Sequence, residues 1–373
     1  MRFVSAALLV LLLGGACTGV PCAEMVVTGS RISGSGVGAN ASGHLVMWAE
    51  GRSPWARRAN ANGSWSDPYE ITHLSALLVG SGDRYLAWTP RTTLDGTEND
   101  LSHANTTSIL DADGNVLVDI LPAAYDEPRL HAAIAVADGW LAAFIGTGSG
   151  PTLSIARITF DAQTVTAIPV DLGVEGGNPF VANGPAAAFV RVNGVIWLLY
   201  GKLGLVGRRF QDDGVALDPL PMSLVRSGWL VGAHGAGNVA MIDVAVEVRE
   251  QYLLDDTGIH PIPGLAEVVA GIPGSGFLGL DRSGFARWYG LDGAAHNQLD
   301  GRPLPSNEKL AAASGPSGLV LTRTNVFGLD GPLVDNDLPT WVEAASASFD
   351  GLSQPAFRQE AVQSTRFVET TCW

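Results

Sequence analysis

The sequence predicts an all-β chain in which a four-strand unit repeats along a closed architecture. Three observations lead there. A short apolar run meets Asp-Gly and an alternating run follows, most plainly at Ser108-Ile-Leu-Asp-Ala-Asp-Gly-Asn-Val-Leu-Val-Asp119, the strongest short-range pattern for a tight β-hairpin. Variants of that hairpin recur at residues 59–63, 160–163, 210–214, 254–258, 290–293 and 328–331. Finally, 46 Gly and 21 Pro in 373 residues lie spread between apolar runs, as many short strands and turns require.

Taken in order, the chain begins with a targeting signal. Met1-Arg-Phe3 is a positive start, Val4 to Leu13 is apolar, and small residues precede Cys17. The pattern is that of a secretory signal over residues 1–19, too short to span a bilayer as a helix. Leu13-Gly-Gly-Ala-Cys17 resembles a bacterial lipoprotein cleavage box, in which the cysteine is lipidated and becomes the new N-terminus. Gly14 stands where such boxes usually carry Leu, and cleavage by an ordinary signal peptidase after Ala16 or Gly19 also fits. An exported protein is expected, either secreted or tethered to a membrane through its N-terminus alone. Of three cysteines, Cys22 and Cys372 remain at the two ends of the mature chain. Export to an oxidising compartment favours their pairing as a disulfide.

From about residue 25 the repeat begins. A second turn family, at residues 41–43, 80–82, 137–139, 182–184, 234–237, 273–276 and 315–318, precedes each Asp-Gly hairpin. Compact apolar strands follow these turns, as in Leu45-Val-Met-Trp48, Tyr85-Leu-Ala-Trp88 and Trp140-Leu-Ala-Ala-Phe144. Such runs suit strands covered on both faces, so their recurring Trp48, Trp88 and Trp140 read as packing. Later strands alternate, as Val116-Leu-Val-Asp119 does, which suits an outer strand with one wet face. From Gly43 to Gly318 the first turn recurs at intervals of 39, 57, 45, 53, 39 and 42 residues. Four strands in about 40–50 residues, repeated, is the pattern of a propeller blade.

The chain resembles a repeat β-propeller of the broad exported bacterial kind over residues 25–373. It carries no Trp-Asp series, kelch double glycine or sialidase box. The resemblance implies a single β-propeller with seven four-stranded blades; six or eight also fit. The blades are expected near residues 34–72, 75–122, 130–171, 178–221, 228–262, 266–304 and 309–336, with 337–373 a C-terminal tail. The fourth unit is ambiguous, because Arg191-Val-Asn-Gly194 is itself a strong hairpin pattern. Residues 25–32 and the tail each offer a strand that closes the ring. Closure removes the open strand edges that would otherwise pair with other chains.

A formal charge of −15, from 22 Lys+Arg against 37 Asp+Glu, repels phosphate backbones, and no basic stripe offsets it. Nucleic acid is therefore not an expected partner. In propellers the turns between strands 1 and 2 and between 3 and 4 lie on one face, and ligands meet the other. The Asp-Gly turns thus read as fold punctuation, since tight hairpins need positive φ. On the other face, Asp95, Glu98, Asp100 and His103 cluster on the longest loop of the second unit, and Arg129 and His131 open the third. Long loops carry function. A carboxylate cluster suits Ca²⁺, but the spacing is not that of an EF-hand and no other repeat copies it, so no cofactor is expected and a solvated acidic loop is the plain alternative. Arg129 with Asp126 and Glu127 suits an anionic or sugar-like ligand. Trp55 with Glu50 and Arg52, and Arg226 with Trp229, suit a recognition cup. The seven histidines show no metal spacing, and no Gly-x-Ser-x-Gly, phosphate loop or dinucleotide fingerprint occurs. The expected function is binding a protein or glycan partner at the cell envelope. The alternatives are an extracellular hydrolase or lyase using groups such as Asp100, His103 and His131, and a purely structural envelope component.

Overall fold

The computed structural model describes residues 23–28, 32–50, 53–60, 66–72, 74–75, 77–89, 106–120, 129–146, 152–160, 165–168, 187–201, 204–245, 249–272, 274–298, 310–313, 320–322, 326–328, 331–332, 341–345, 355–361 and 364–369. Every regular element among them is a β-strand, and no helix among them is long and apolar enough to cross a membrane. The chain opens with β1 (Ala23–Thr28). The first blade follows as β2 (Ile32–Asn40), β3 (Gly43–Glu50), β4 (Ser53–Asn60) and β5 (Tyr69–Glu70), and the second as β6 (Leu77–Ser81), β7 (Arg84–Thr89), β8 (Thr106–Leu110) and β9 (Val116–Ile120). The third is β10 (Arg129–Val136), β11 (Gly139–Gly146), β12 (Thr152–Thr159) and β13 (Val165–Ile168). The fourth is β14 (Ala187–Val192), β15 (Val195–Gly201), β16 (Leu205–Phe210) and β17 (Met222–Val225). The fifth is β18 (Trp229–Gly235), β19 (Ala240–Ala245), β20 (Arg249–Leu254) and β21 (Ile259–Pro261). The sixth is β22 (Leu265–Ile272), β23 (Gly276–Asp281), β24 (Ala286–Tyr289) and β25 (Ala295–Gln298). The seventh is β26 (Leu310–Ala313), β27 (Val320–Thr322), β28 (Val326–Gly328) and β29 (Gly331–Pro332), before β30 (Trp341–Ala345), β31 (Pro355–Ala361) and β32 (Ser364–Glu369).

Each blade is a four-stranded antiparallel sheet in chain order, and the last three strands form one more with β1, in the order β1-β32-β31-β30. The described residues therefore hold eight such sheets. Eight lies within the six to eight that the repeat left open, and the segment 337–373 closes the ring by supplying three strands of that last sheet. The register Ala23↔Glu369 through Thr28↔Ser364 makes the N-terminal strand the outer strand of the last blade. The first strand of each blade packs on the first strand of the next, from β2 through β30 and back to β2. The ring is closed.

The core lies in the seams between blades. Strand β11 shows why: Trp140, Ala142 and Phe144 pack toward the second blade, while Leu141 and Ala143 pack toward the fourth. Strand β19 divides likewise, with Ala240, Ile242 and Val244 against the fourth blade and Met241 against the sixth. Second strands are buried on both faces, hence their continuous apolar runs. Trp48 and Trp140 are fully buried, and the Trp140 indole donates to the Val79 carbonyl of the neighbouring blade at 2.7 Å. First strands approach so closely that glycine is required. A Cβ on Gly80 would stand 1.8 Å from the Ala39 carbonyl oxygen, and one on Gly271 would stand 2.4 Å from that of Gly235.

One unit differs in register from expectation. The turn between the first two strands of the fourth blade is Asn193-Gly194, with φ of 51° and 76°, not residues 182–184, which lie outside the described residues. Two successive positive φ values define the hairpin turn that matches strand twist. The run Val195–Tyr200 thus lies in the blade's second strand.

Candidate functional site

The topology sorts the connections onto two faces. On one, the turn face, β2–β3, β8–β9 and their counterparts join through the two glycine turn families. On the other, the entry face, each first strand begins and each second strand ends.

The turn face is tied down. The Asp111 carboxylate accepts from the Asp113 and Asn115 amides at 2.9 and 2.8 Å and from the Asn115 side chain at 3.0 Å. Asp113 in turn accepts from Arg58 of the first blade at 3.2 Å, and its carbonyl accepts from the Tyr69 hydroxyl at 2.9 Å. These turns also clasp the neighbouring blade. A Cβ on Gly114 would meet Met47 at 2.7 Å, one on Gly214 would meet Arg157 at 2.9 Å, and one on Gly293 would meet Ile262 at 2.2 Å. Arg84 donates to the Phe160 carbonyl across the second seam, and Arg191 donates to the Ala135 carbonyl at 2.9 Å across the third. The carboxylates here are spent on structure, which gives the Asp111-Ala-Asp-Gly114 loop its reading as a turn. Among the described residues no group of three His, Cys, Asp or Glu side chains is placed to hold a metal.

Of the residues singled out in the sequence, Asp95, Glu98, Asp100 and His103 lie outside the described residues, as do Cys17, Cys22 and Cys372. The ends of their loop are described. Thr89, at the end of β7, is fully buried and its hydroxyl lies 3.2 Å from that of Ser75, while Thr106 opens β8 and is also buried. Strand β10, which begins at Arg129, packs against both β7 and β8. The fold therefore sets the end of β7 and the start of β8 beside the strand start that carries Arg129 and His131. His131 sits at the irregularity between Leu130 and Ala132 and is partly exposed. Further round the same face, Arg226 is exposed, Trp229 and Trp55 are partly exposed, and Arg249 and Glu250 are exposed.

A second polar group went unread in the sequence. Asp243, inside β19, is 2% exposed. Its Oδ2 accepts from the Val268 amide of the sixth blade at 3.2 Å, while Oδ1 has no hydrogen-bond partner. Gln251 opposite it is also 2% exposed and donates to the Ala266 carbonyl at 2.8 Å. Loss of water pushes the Asp243 carboxyl up to about 7. His234 on β18 borders the ring's inner wall, and crowding by protein pushes its imidazole down to about 4. The available signal was a lone acid in the apolar run Ala240-Met-Ile-Asp-Val-Ala245, since a buried carboxyl without a cation is costly.

No protein-family model and no curated protein matches the sequence. Solved structures do. Saccharomyces cerevisiae Sqt1 is 8% identical, over 92% of this chain and 97% of that one, with a TM-score of 0.52. The Dos1 propeller is 11% identical, over 93% of this chain and 95% of that one, with a TM-score of 0.51. The chain is a β-propeller. BamB from Moraxella catarrhalis superposes more loosely, at 12% identity and a TM-score of 0.45, over 92% of this chain and 89% of that one. At such identities the likeness concerns the fold, and the propeller's function has to be argued from its own residues.

Proposed function

We propose that this propeller is an exported binding protein that recognises a protein or glycan at the cell envelope through its entry face. The observation that carries the reading is the unequal use of the two faces. On the turn face Asp111 is engaged in an Asx turn, and Asp113 with Arg58 and the turn glycines clasps neighbouring blades. The entry face sets the end of β7 and the start of β8 beside the strand start that carries Arg129 and His131, and presents Arg226 and Trp229. Arginine and tryptophan in a shallow cup are the side chains that dominate recognition. Export follows from residues 1–19. On this reading Cys17, when it is the first mature residue, carries the lipid that holds the propeller at the membrane, with Cys22 and Cys372 paired behind it. Mass analysis of the mature N-terminus distinguishes that anchor from plain secretion.

Binding is tested by co-sedimentation of the purified propeller with isolated cell-envelope material. The combined substitution Arg129→Ala and His131→Ala is expected to lower the bound fraction at least tenfold, and Asp113→Asn on the turn face to leave it unchanged. Equal loss in both variants would contradict the reading, as would full binding in the first.

A further inference from the structure

At the seam between the fifth and sixth blades, the β18-β19-β20 ladder changes character from the turn face to the entry face. Nearest the turn face, Met241 and Leu253 join an apolar cluster with Leu265, Val268, Phe277 and Tyr289 of the sixth blade. The next rung holds Asp243 and Gln251, each 2% exposed. The last sets Trp229 opposite Ala245 and Ala245 opposite Arg249. Leu230 and Val244 face the fourth blade, so alternation turns Trp229, Ala245 and Arg249 toward the sixth. All three reach solvent at least in part. Neighbouring strands stand about 4.8 Å apart, so Trp229 and Arg249 form walls about 10 Å apart over the small Ala245 floor. Strand β22 builds the far side of this trough, where Glu267 pairs with Arg249 at 3.2 Å and each side chain is about two-fifths exposed. The residues flanking Glu267 are fixed from below. The Ala266 carbonyl accepts from the Gln251 amide at 2.8 Å, and the Val268 amide donates to Asp243 at 3.2 Å. Both contacts fall where β22 departs from regular pairing, between Leu265 and Glu267 and after Val268. Such irregularities re-aim side chains, and here buried polar groups of the fifth blade hold them in place. An exposed ion pair contributes at most about 1 kcal/mol, so this support serves the position of Glu267 more than stability.

We infer that Trp229, Arg249 and Glu267 form a saccharide subsite of the entry face, which takes one neutral pyranose ring of an envelope glycan. A pyranose presents an apolar C–H face and a rim of hydroxyls. The Trp229 indole suits the first, being large, flat and apolar. The paired guanidinium and carboxylate suit the second, since one only donates and the other only accepts hydrogen bonds. As a unit they carry no net charge that would select a charged ligand. The centre of a protein–protein contact is instead apolar and depleted of charge, whereas the rung beneath this trough is Asp243 and Gln251. This assignment rests on the entry-face reading above and narrows its partner to a glycan.

The test is co-sedimentation of the purified propeller with envelope material that is untreated, oxidised with periodate, which cleaves vicinal diols, or digested with protease. Periodate is expected to lower the bound fraction about tenfold or more, and protease to leave it within about twofold. Addition of about 0.5 M NaCl, which shortens the screening length to a few Å, is expected to leave it within about twofold as well. Trp229→Ala and Arg249→Met are each expected to lower it about tenfold, while the periodate arm depends on no variant folding. Binding that survives periodate and is lost to protease overturns the glycan and leaves the entry-face reading standing. A tenfold fall in salt overturns the neutral ligand. Full binding by either variant overturns this placement of the subsite. Absence of binding to untreated material overturns the entry-face reading and this assignment together.

Discussion

Glycine carries two different duties at the residue scale, and the structure separates them. Gly194 sits at φ 76° with open space where its Cβ would be, so only backbone conformation demands it. Gly80 has an ordinary backbone but faces the Ala39 carbonyl of the neighbouring blade at a distance no side chain tolerates. Gly194→Ala is expected to cost about 1–2 kcal/mol, the penalty for a left-handed residue. Gly80→Ala forces two inner strands apart and is expected to cost about 3 kcal/mol or more. Denaturant midpoints compare them, and equal losses would mean that the inner strands move apart freely. The first duty was legible in the sequence, because Asn-Gly and Asp-Gly announce turns. The second was not, since it depends on which strand lies opposite. Asp243 was hidden for the same reason, since its burial depends on which blade closes over β19.

At the scale of elements, the fourth blade shows what local patterns decide and what they leave open. Two candidate turns competed there, and Asn193-Gly194 prevails because Val195–Tyr200 can then be buried between the third and fifth blades. The long 211–221 connection that follows is tied to β16 by Asp218 as well as by backbone hydrogen bonds such as Leu217 to Arg209. Asp218, 7% exposed, accepts from both the amide and the guanidinium of Arg209, the latter at 2.7 and 3.0 Å. Those hydrogen bonds hold its carboxyl below the usual range. A depressed carboxyl contributes stability above its unfolded pKa and loses it as pH falls through the folded one. Asp218→Asn should therefore cost about 1–2 kcal/mol at neutral pH, a figure reduced for the exposure of Arg209 to water. The cost should fade below about pH 4. Thermal melts at the two pH values check this, and a cost that persists in acid would assign Asp218 a purely steric role. Val215, Leu217 and Leu220 stay exposed along this segment, their neighbours Ala216 and Asp218 turning inward.

At the scale of the whole molecule, the sequence favoured seven blades and left six or eight open, and the described residues hold eight four-stranded sheets. Seven units were visible because each carries its own glycine turns. The eighth is assembled from both ends of the chain, and nothing local in residues 341–369 announces that Ala23 pairs with Glu369. The same pairing gives the terminal cysteines a purpose, for Cys22 immediately precedes β1 and Cys372 follows β32 by three residues. A disulfide between them would staple the closing blade. Non-reducing peptide mapping is expected to find one bridge joining the terminal peptides, and two free thiols would remove it.

The two-face division is also a property of the whole ring, since no single blade defines it, and it bears the functional claim. Its sharpest test places a photo-crosslinking amino acid at one position at a time and exposes the propeller to envelope material. Adducts are expected from positions 131, 226 and 229 on the entry face and none from positions 83, 113 and 256 on the turn face. Adducts confined to the turn face would contradict the account.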